Sequence, residues 1–323
     1  MLHFIGDLLS PAGARGKLGI LIYHRVLAAP DLLLNEDIDA ATFAMHMRSL
    51  AAECNVLQLG DACKRLANGT LPARAVCVTF DDGYADNESV ALPILKRYGV
   101  PATFFIAPGY SNGSVMFNDA VIEAVRVAPK GTHDLSRLGL GKHDLSDSAS
   151  RRATIGALLG LLKYRPVRER GELASRLAAA LGMTPPAADL MMKPGQIKRL
   201  QDEGMEIGAH TVNHPILAVL GEREARAEIF DSKRLLEEIT GTPVTLFAYP
   251  NGLPGRDYGP RDVQLVKEAG FAAAVSTVDG VAGHGSDSFQ LPRVGLWDRT
   301  MLRLRVRLLV HFMRPVAAGE QRA

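Results

Sequence analysis

Asp81 and Asp82 follow an apolar, β-branched run over residues 76–80, and Gly83 turns the chain behind them. Two carboxylates at the end of such a run fall at the carboxyl end of a sheet strand, where α/β folds carry their chemistry. Neighbouring side chains there point in different directions, so one can hold a metal while the other handles a proton. A second apolar run, 205–209, leads into His210-Thr-Val-Asn-His214 and then Pro215. A spacing of four brings two imidazoles to one face of a helical turn. Pro215, however, disfavours the α region at His214 and places the pair in a turn or loop. Two imidazoles and one carboxylate suit zinc or another late first-row divalent ion, and three protein ligands leave a position open for water. The bland alternatives are an Asp-Gly turn and a capped core turn around the histidines.

The elements that would hold these groups alternate strand and helix. Residues 19–23 read as a strand ending at His24-Arg25, and 42–53 as a helix with Thr42 at its N-cap. A short strand at 56–59 and a helix at 61–67, closed by Asn68-Gly69, lead to the Asp81 strand. Residues 87–98 read as a helix interrupted by Pro93, and 102–107 as the next strand. The alternation predicts a parallel sheet with helices outside. It stops at 111–192, read as a mostly helical insertion with a loop over 129–150, either packing filler or a substrate wall. It resumes with helices at 195–203, 222–240 and 261–269 and strands before His210, at 244–248, 272–276 and around 291–294.

A chain of 323 residues, 47% hydrophobic and 22% charged, has material for a sizeable core, and an α/β barrel of this length is one domain, 1–323. A net charge of +2 argues against a dedicated nucleic-acid surface. Cys54, Cys63 and Cys77 are odd in number without a CxxC pair, which fits a reducing compartment and excludes a cysteine zinc site. The first ten residues lack the basic region and cleavage site of a signal peptide, and no run reaches the roughly 18 apolar residues of a membrane span. The expected location is therefore cytoplasmic. Leu2, Phe4, Ile5, Leu8 and Leu9 at one end, and a basic amphipathic tail over 300–323 at the other, leave peripheral contact with the inner face of a membrane as an expectation. The plainer account of that tail is a helix packed on the barrel with solvated arginines. Nothing in the sequence sets the oligomeric state.

The ordered motifs resemble the polysaccharide deacetylase family, carbohydrate esterase family 4. Thr79-Phe80-Asp81-Asp82-Gly83 matches its first motif and His210-Thr-Val-Asn-His214 its second. Phe247-Ala-Tyr-Pro-Asn-Gly252 resembles a variant of the third, and Leu291-Pro-Arg-Val294 the fourth region. The resemblance covers most of 18–110 and 195–296. It implies a deformed (β/α) barrel and metal-dependent removal of N-acetyl groups from a sugar in a glycan or exopolysaccharide precursor. Alternatives are a deacylase of a lipid-linked sugar or small amide, and a catalytically silent carbohydrate-binding homologue.

The resemblance implies Asp82, His210 and His214 as ligands of one divalent ion, zinc first, with cobalt, nickel or manganese as substitutes. Asp81 becomes the general base and the Asn251 backbone the oxyanion donor. Two departures stand out. The third-motif position where family members commonly carry an arginine is Ala248, and Arg293 would approach Asp81 from another strand end. Leu309-Val310-His311 has the letters of the family's Leu-x-His acid motif, but lies in the basic tail. Leu21-Ile-Tyr-His24 resembles instead the Met-Tyr-His element of the poly-N-acetylglucosamine deacetylase subgroup, which implies His24 as the acid. Tyr84, Tyr249 and Trp297 are the candidate sugar contacts, Trp297 by stacking or else as core. His3, His46, His133, His143 and His284 show no ligand spacing and read as surface or loop residues.

Overall fold

The computed structural model describes residues 2–35, 37–183 and 190–316. Among them seven parallel strands form a ring: β1 (Lys17–Tyr23), β2 (Ala75–Phe80), β3 (Ala102–Ile106), β4 (Glu206–Ala209), β5 (Leu246–Ala248), β6 (Ala273–Asp279) and β7 (Leu291–Gly295). β1 pairs with β2 from Leu18↔Ala75 to Tyr23↔Phe80, and on its other edge with β7 at Leu21↔Val294. The first and last strands thus meet, and the remaining neighbours run β7-β6-β5-β4-β3-β2. This is the (β/α) barrel expected from the alternation.

Every residue of β2 is buried, as a parallel strand covered on both faces must be. The period of two splits the strands between two cores. Ala75 and Cys77 join Leu18, Ile20, Phe105, Leu246, Val275 and Leu291 in a cluster filling the barrel. Val76, Val78 and Phe80 join Leu21, Phe104 and Phe247 in the layer beneath the helices. Thr79 and Asp81 continue the inward set of Cys77, so pleat alone aims Asp81 into the barrel mouth.

Eleven α-helices are described: α1 (Leu2–Leu9), α2 (Ala40–Glu53), α3 (Leu59–Ala67), α4 (Leu92–Tyr98), α5 (Phe117–Val127), α6 (Ser148–Leu162), α7 (Val167–Ala180), α8 (Pro194–Asp202), α9 (Glu222–Thr240), α10 (Pro260–Glu268) and α11 (Met301–Met313). α5, α6 and α7 lie between β3 and β4, within 111–192. They bury Val121, Val125, Leu158, Leu162, Leu173 and Leu177 in an apolar cluster of their own.

Several local expectations need correction. The N-cap of α2 is Asp39, whose carboxylate accepts the Thr42 N–H at 2.7 Å; Thr42 is the capped residue. Residues Asn87–Ala91 form one π-helical turn, and Pro93 then sits in the first turn of α4, where no N–H is required of it. The supposed loop over 129–150 contains a two-stranded antiparallel pairing, Thr132–Asp134 with Lys142–Asp144. Neither segment has an apolar face, so periodicity could not reveal them. α11 buries Leu304, Leu308, His311 and Phe312. Its arginines are largely paired: Arg305 meets Glu53, Arg307 meets Asp298 and Arg314 meets Asp279. Residues 317–323 of the tail lie outside the described residues. No described helix is long and apolar enough to cross a membrane.

Candidate active site

Asp81 and Asp82 leave β2 at the barrel's carboxyl end, and His210 and His214 leave β4, two strands away in the ring. Asp82 Oδ1 lies 3.6 Å from His210 Nε2 and 3.3 Å from His214 Nε2. Three ligands at about 2.1 Å from a tetrahedral ion stand about 3.4 Å apart, so these atoms are spaced as a ligand set. The loops that achieve this are unusual. Asp82, Thr211, His214 and Asn251 have φ of 75°, 59°, 50° and 60°. Left-handed backbone at non-glycine residues costs roughly 1–3 kcal/mol each, and it clusters where function over-determines geometry. Gly83, with φ of 92°, leaves room that a Cβ would take at 2.9 Å from Ile106.

The electrostatics fit a cation. Asp82 is buried, and its Oδ1 accepts no hydrogen bond. Burial and then the neighbouring Asp81 carboxylate push its pKa far above the usual range, the signature of a carboxylate lacking a counter-charge. Burial lowers His210 to about 4 and His214 well below its ordinary value, so both imidazoles are neutral with a lone pair to give. His210 Nδ1 donates to the Ala248 carbonyl at 2.7 Å, which fixes the tautomer with Nε2 free. The chain thus uses position 248 through its backbone. A divalent ion held by Asp82, His210 and His214 satisfies these demands together.

Asp81 is placed differently. Both its oxygens receive Arg293, Nη1 on Oδ1 and Nη2 on Oδ2, each at 2.7 Å. Arg293 is 1% exposed, and its Nε donates to the Ser276 carbonyl at 2.8 Å. Burial alone would raise Asp81, but the guanidinium outweighs it and holds the carboxyl well below the ordinary range. The structure therefore brings Arg293 to Asp81 from β7. His24, at the end of β1, opens onto the same cleft. The cleft walls lower its pKa by desolvation, which Asp81 partly opposes.

The cleft has a volume of about 460 Å³ and is lined by His24, Asp81, Asp82, His210, His214, Asn251 and Thr277. The Asn251 N–H finds no acceptor among the described residues. Its neighbour Gly252, with φ of 71°, has no space for a Cβ, which would meet the Thr277 N at 2.9 Å. The far wall comes from the insertion: Phe117, Asn118, Leu159, Gly160 and Lys163. Sequence reasoning named none of these five, since α5 and α6 read as ordinary helices with no signal of which face meets the mouth.

The three candidate sugar contacts fall elsewhere. Tyr84 is buried, with its hydroxyl between Asn118 and Asp119. Tyr249 is buried and stacked on Tyr258, ring centroids 3.8 Å apart. Trp297 is exposed, but beside α11 with Arg307 4.6 Å above its ring, outside the cleft lining. Position next to a motif does not decide direction: Tyr249 packs with Phe247 in the layer beneath the helices, and Tyr84 packs against Tyr110, Met116 and Met191. His311 bonds Asp279 at 2.9 Å, also outside the cleft lining. His46, expected at the surface, is fully buried between the Tyr23 hydroxyl and the Asp298 carbonyl.

The family model for polysaccharide deacetylases matches residues 68–154 and 166–274. YxkH of Bacillus subtilis, named as a polysaccharide deacetylase, is 24% identical over 280 residues, covering 86% of this chain and 71% of that protein. Two solved structures share the fold. The Streptococcus pyogenes deacetylase PplD, in complex with acetate, superposes with a TM-score of 0.61 at 21% identity, over 93% of this chain and 99% of its own. IcaB from Ammonifex degensii gives 0.60 at 20%, over 94% and 99%. With more than half of its length matched by the family model, the chain belongs to the polysaccharide deacetylase family.

Proposed function

We propose that this polysaccharide deacetylase removes N-acetyl groups from an N-acetylated sugar of a glycan or exopolysaccharide precursor, with a divalent ion, zinc first, at Asp82, His210 and His214. The convergence of Asp82 Oδ1 on the two Nε2 atoms at the cleft floor carries this reading. The acetate of the PplD structure is consistent with an acetyl group as the part removed. When bound, such an ion polarises an acyl carbonyl and acidifies water beside it.

The chain's own groups divide the remaining work. Arg293 keeps Asp81 ionised and fixes its plane, so a carboxylate oxygen can receive the proton of the attacking water. Asn251 lines the cleft, and its N–H would donate to the oxygen on which charge develops. His24, from the neighbouring strand end of β1, gives a proton to the departing nitrogen, which leaves poorly without one. A second reading has a specific support. Asp81, held so far below its usual range, has little proton affinity, while His24 is neutral and open to the cleft. In that reading His24 takes the first proton and returns it to nitrogen, and the Asp81–Arg293 pair orients and stabilises.

Acetate release from N-acetylated oligosaccharides, measured before and after stripping metal and reloading zinc, tests the proposal. Release that vanishes with chelation and returns with one ion per chain is expected. Full activity in metal-free protein, or no release from any acetylated sugar offered, would overturn it.

A further inference from the structure

The loop 211–214 presents His214 through two residues of left-handed backbone, Thr211 and His214. Side chains from separate parts of the chain hold it on both sets of its peptide groups. Glu228 of α9 takes the donors: Oε2 accepts the Val212 and Asn213 N–H groups, each at 2.8 Å, and Oε1 accepts Asn213 Nδ2 at 2.7 Å. Arg170 of α7 takes the acceptors, donating from Nη2 to the carbonyls of Asn213 and His214, each at 3.1 Å. The Tyr110 hydroxyl adds a third bond, donating to the Asn213 carbonyl at 2.9 Å.

Arg170 is 2% exposed and its guanidinium lies 4.4 Å from the Phe117 ring centroid. A buried guanidinium is costly unless acceptors and counter-charge meet it. The carbonyls it reaches belong to the His214 loop, and Glu228 supplies nearby negative charge. A leucine would fill such a space between α5 and α7 without that cost, so packing alone does not account for an arginine here. The same insertion also reaches the other ligand loop. Asn118 of α5 donates to the Tyr84 hydroxyl at 3.1 Å, and that hydroxyl donates to Asp119 at 3.3 Å, two residues beyond Asp82 in the chain.

We propose that the insertion sets the geometry of the metal ligands, with Arg170 as the positioning residue that fixes His214. The proposal rests on the metal reading above, but its readout is ion binding rather than deacetylation. A strained loop released from one of its three holders relaxes, and His214 Nε2 then drifts from the distance a small ion requires. Outer partners of metal ligands are worth about 10–100-fold in affinity.

The test is zinc affinity by competition titration, with the visible absorption of the Co²⁺-loaded protein as reporter of ligand geometry. Arg170→Ala should weaken zinc by about 10–100-fold and alter the Co²⁺ spectrum. Arg170→Lys, able to donate to both carbonyls, should recover much of the loss. Tyr110→Phe should weaken zinc less, in the same direction. Arg168→Ala, an exposed neighbour on α7, should change nothing. Unchanged zinc affinity and spectrum in Arg170→Ala, whatever happens to its Tm, would overturn the proposal. If Arg170→Ala yields no folded protein, Arg170→Met, which keeps the bulk and removes the donors, takes its place, and unchanged affinity and spectrum in it would overturn the proposal. Wild-type protein that binds no ion would overturn the metal reading itself, which separates the two failures.

Discussion

The barrel mouth and the insertion at 111–192 face each other across the cleft, and they are built in opposite ways. The mouth gathers residues from six of the seven strands, with Asp81 and Arg293 separated by 212 positions and joined by two bonds of 2.7 Å. The insertion packs mostly on itself, around Leu158, Leu162, Leu173 and Leu177, and reaches the ligand loops through a handful of polar side chains. In the mouth, identity is everything: a carboxylate, an imidazole and a guanidinium each have one place. In the insertion, position matters more, because Lys163, Asn118 and Arg170 act through where the helices set them. A repeating scaffold therefore supplies reactive groups, and an irregular one supplies shape and support.

The largest effect should come from the mouth. His210→Ala removes one of three ligands, and should drop both metal content and acetate release to background. Full metal occupancy in that variant would break the assignment, since among the described residues the insertion brings no carboxylate, imidazole or thiol to the cleft lining. Next comes the division of proton transfer. Asp81→Asn keeps shape and ion, and should lose about 10²–10⁴ in rate if Asp81 is the base. A loss near tenfold would favour His24 as carrier of both protons. His24→Ala should then cripple amide turnover while sparing an activated ester, whose leaving group needs no proton.

These two predictions rest on the part of the molecule that was readable in advance. Asp81, Asp82, His210 and His214 lie beside short apolar runs, so strand period and turn residues announced both their place and their direction. Arg293 was readable as a strand-end residue, and the bidentate pairing explains how it stands in for the absent side chain at position 248. The failures share a cause. Tyr84, Tyr249 and Trp297 sit beside motifs, but exposure depends on packing that no local pattern records. Arg170 and Glu228 lie in charged helices where a solvated arginine and a buried one look alike in sequence.

Smaller effects should separate the two regions by pH. Burial raises Asp119 of the insertion to about 7, against an ordinary value of 3.8. A carboxyl with a raised folded pKa contributes stability below its unfolded value and loses it as pH rises towards the folded one. His46, buried beneath the barrel helices, is lowered from 6.5, so its contribution is present above 6.5 and fades as pH falls. Asp119→Asn should therefore gain on the parent protein between pH 4 and 7 and then level off, by about a few degrees in Tm. A gain that shrank over that range would reverse the sign assigned to Asp119.

The smallest effect concerns α11, where Leu302, Val306, Val310 and Met313 are exposed and most of the arginines are tied to carboxylates. The peripheral membrane contact proposed for this end would then be weak, about 1 kcal/mol for each free basic group, and lost in high salt. Val306→Glu should abolish sedimentation with anionic vesicles at low salt. Removing the helix is a poor test, because Leu304, Leu308 and Phe312 belong to the core. Sedimentation equal in parent and variant would leave the contact without support.

The bond between Asp81 and Arg293 also sets an order of events in folding. A nascent chain emerging from the amino terminus has Asp82, His210 and His214, the proposed ligands, once residue 214 has appeared, yet no Arg293 to balance Asp81 until β7 docks against β1. Contacts so distant in sequence form late, because a long loop must close before they give any return. On the metal reading proposed above, the growing chain would present its ligand set well before its full set of reacting groups. Activity would switch on with closure of the ring, which makes deacetylation a direct clock for the last step of barrel assembly.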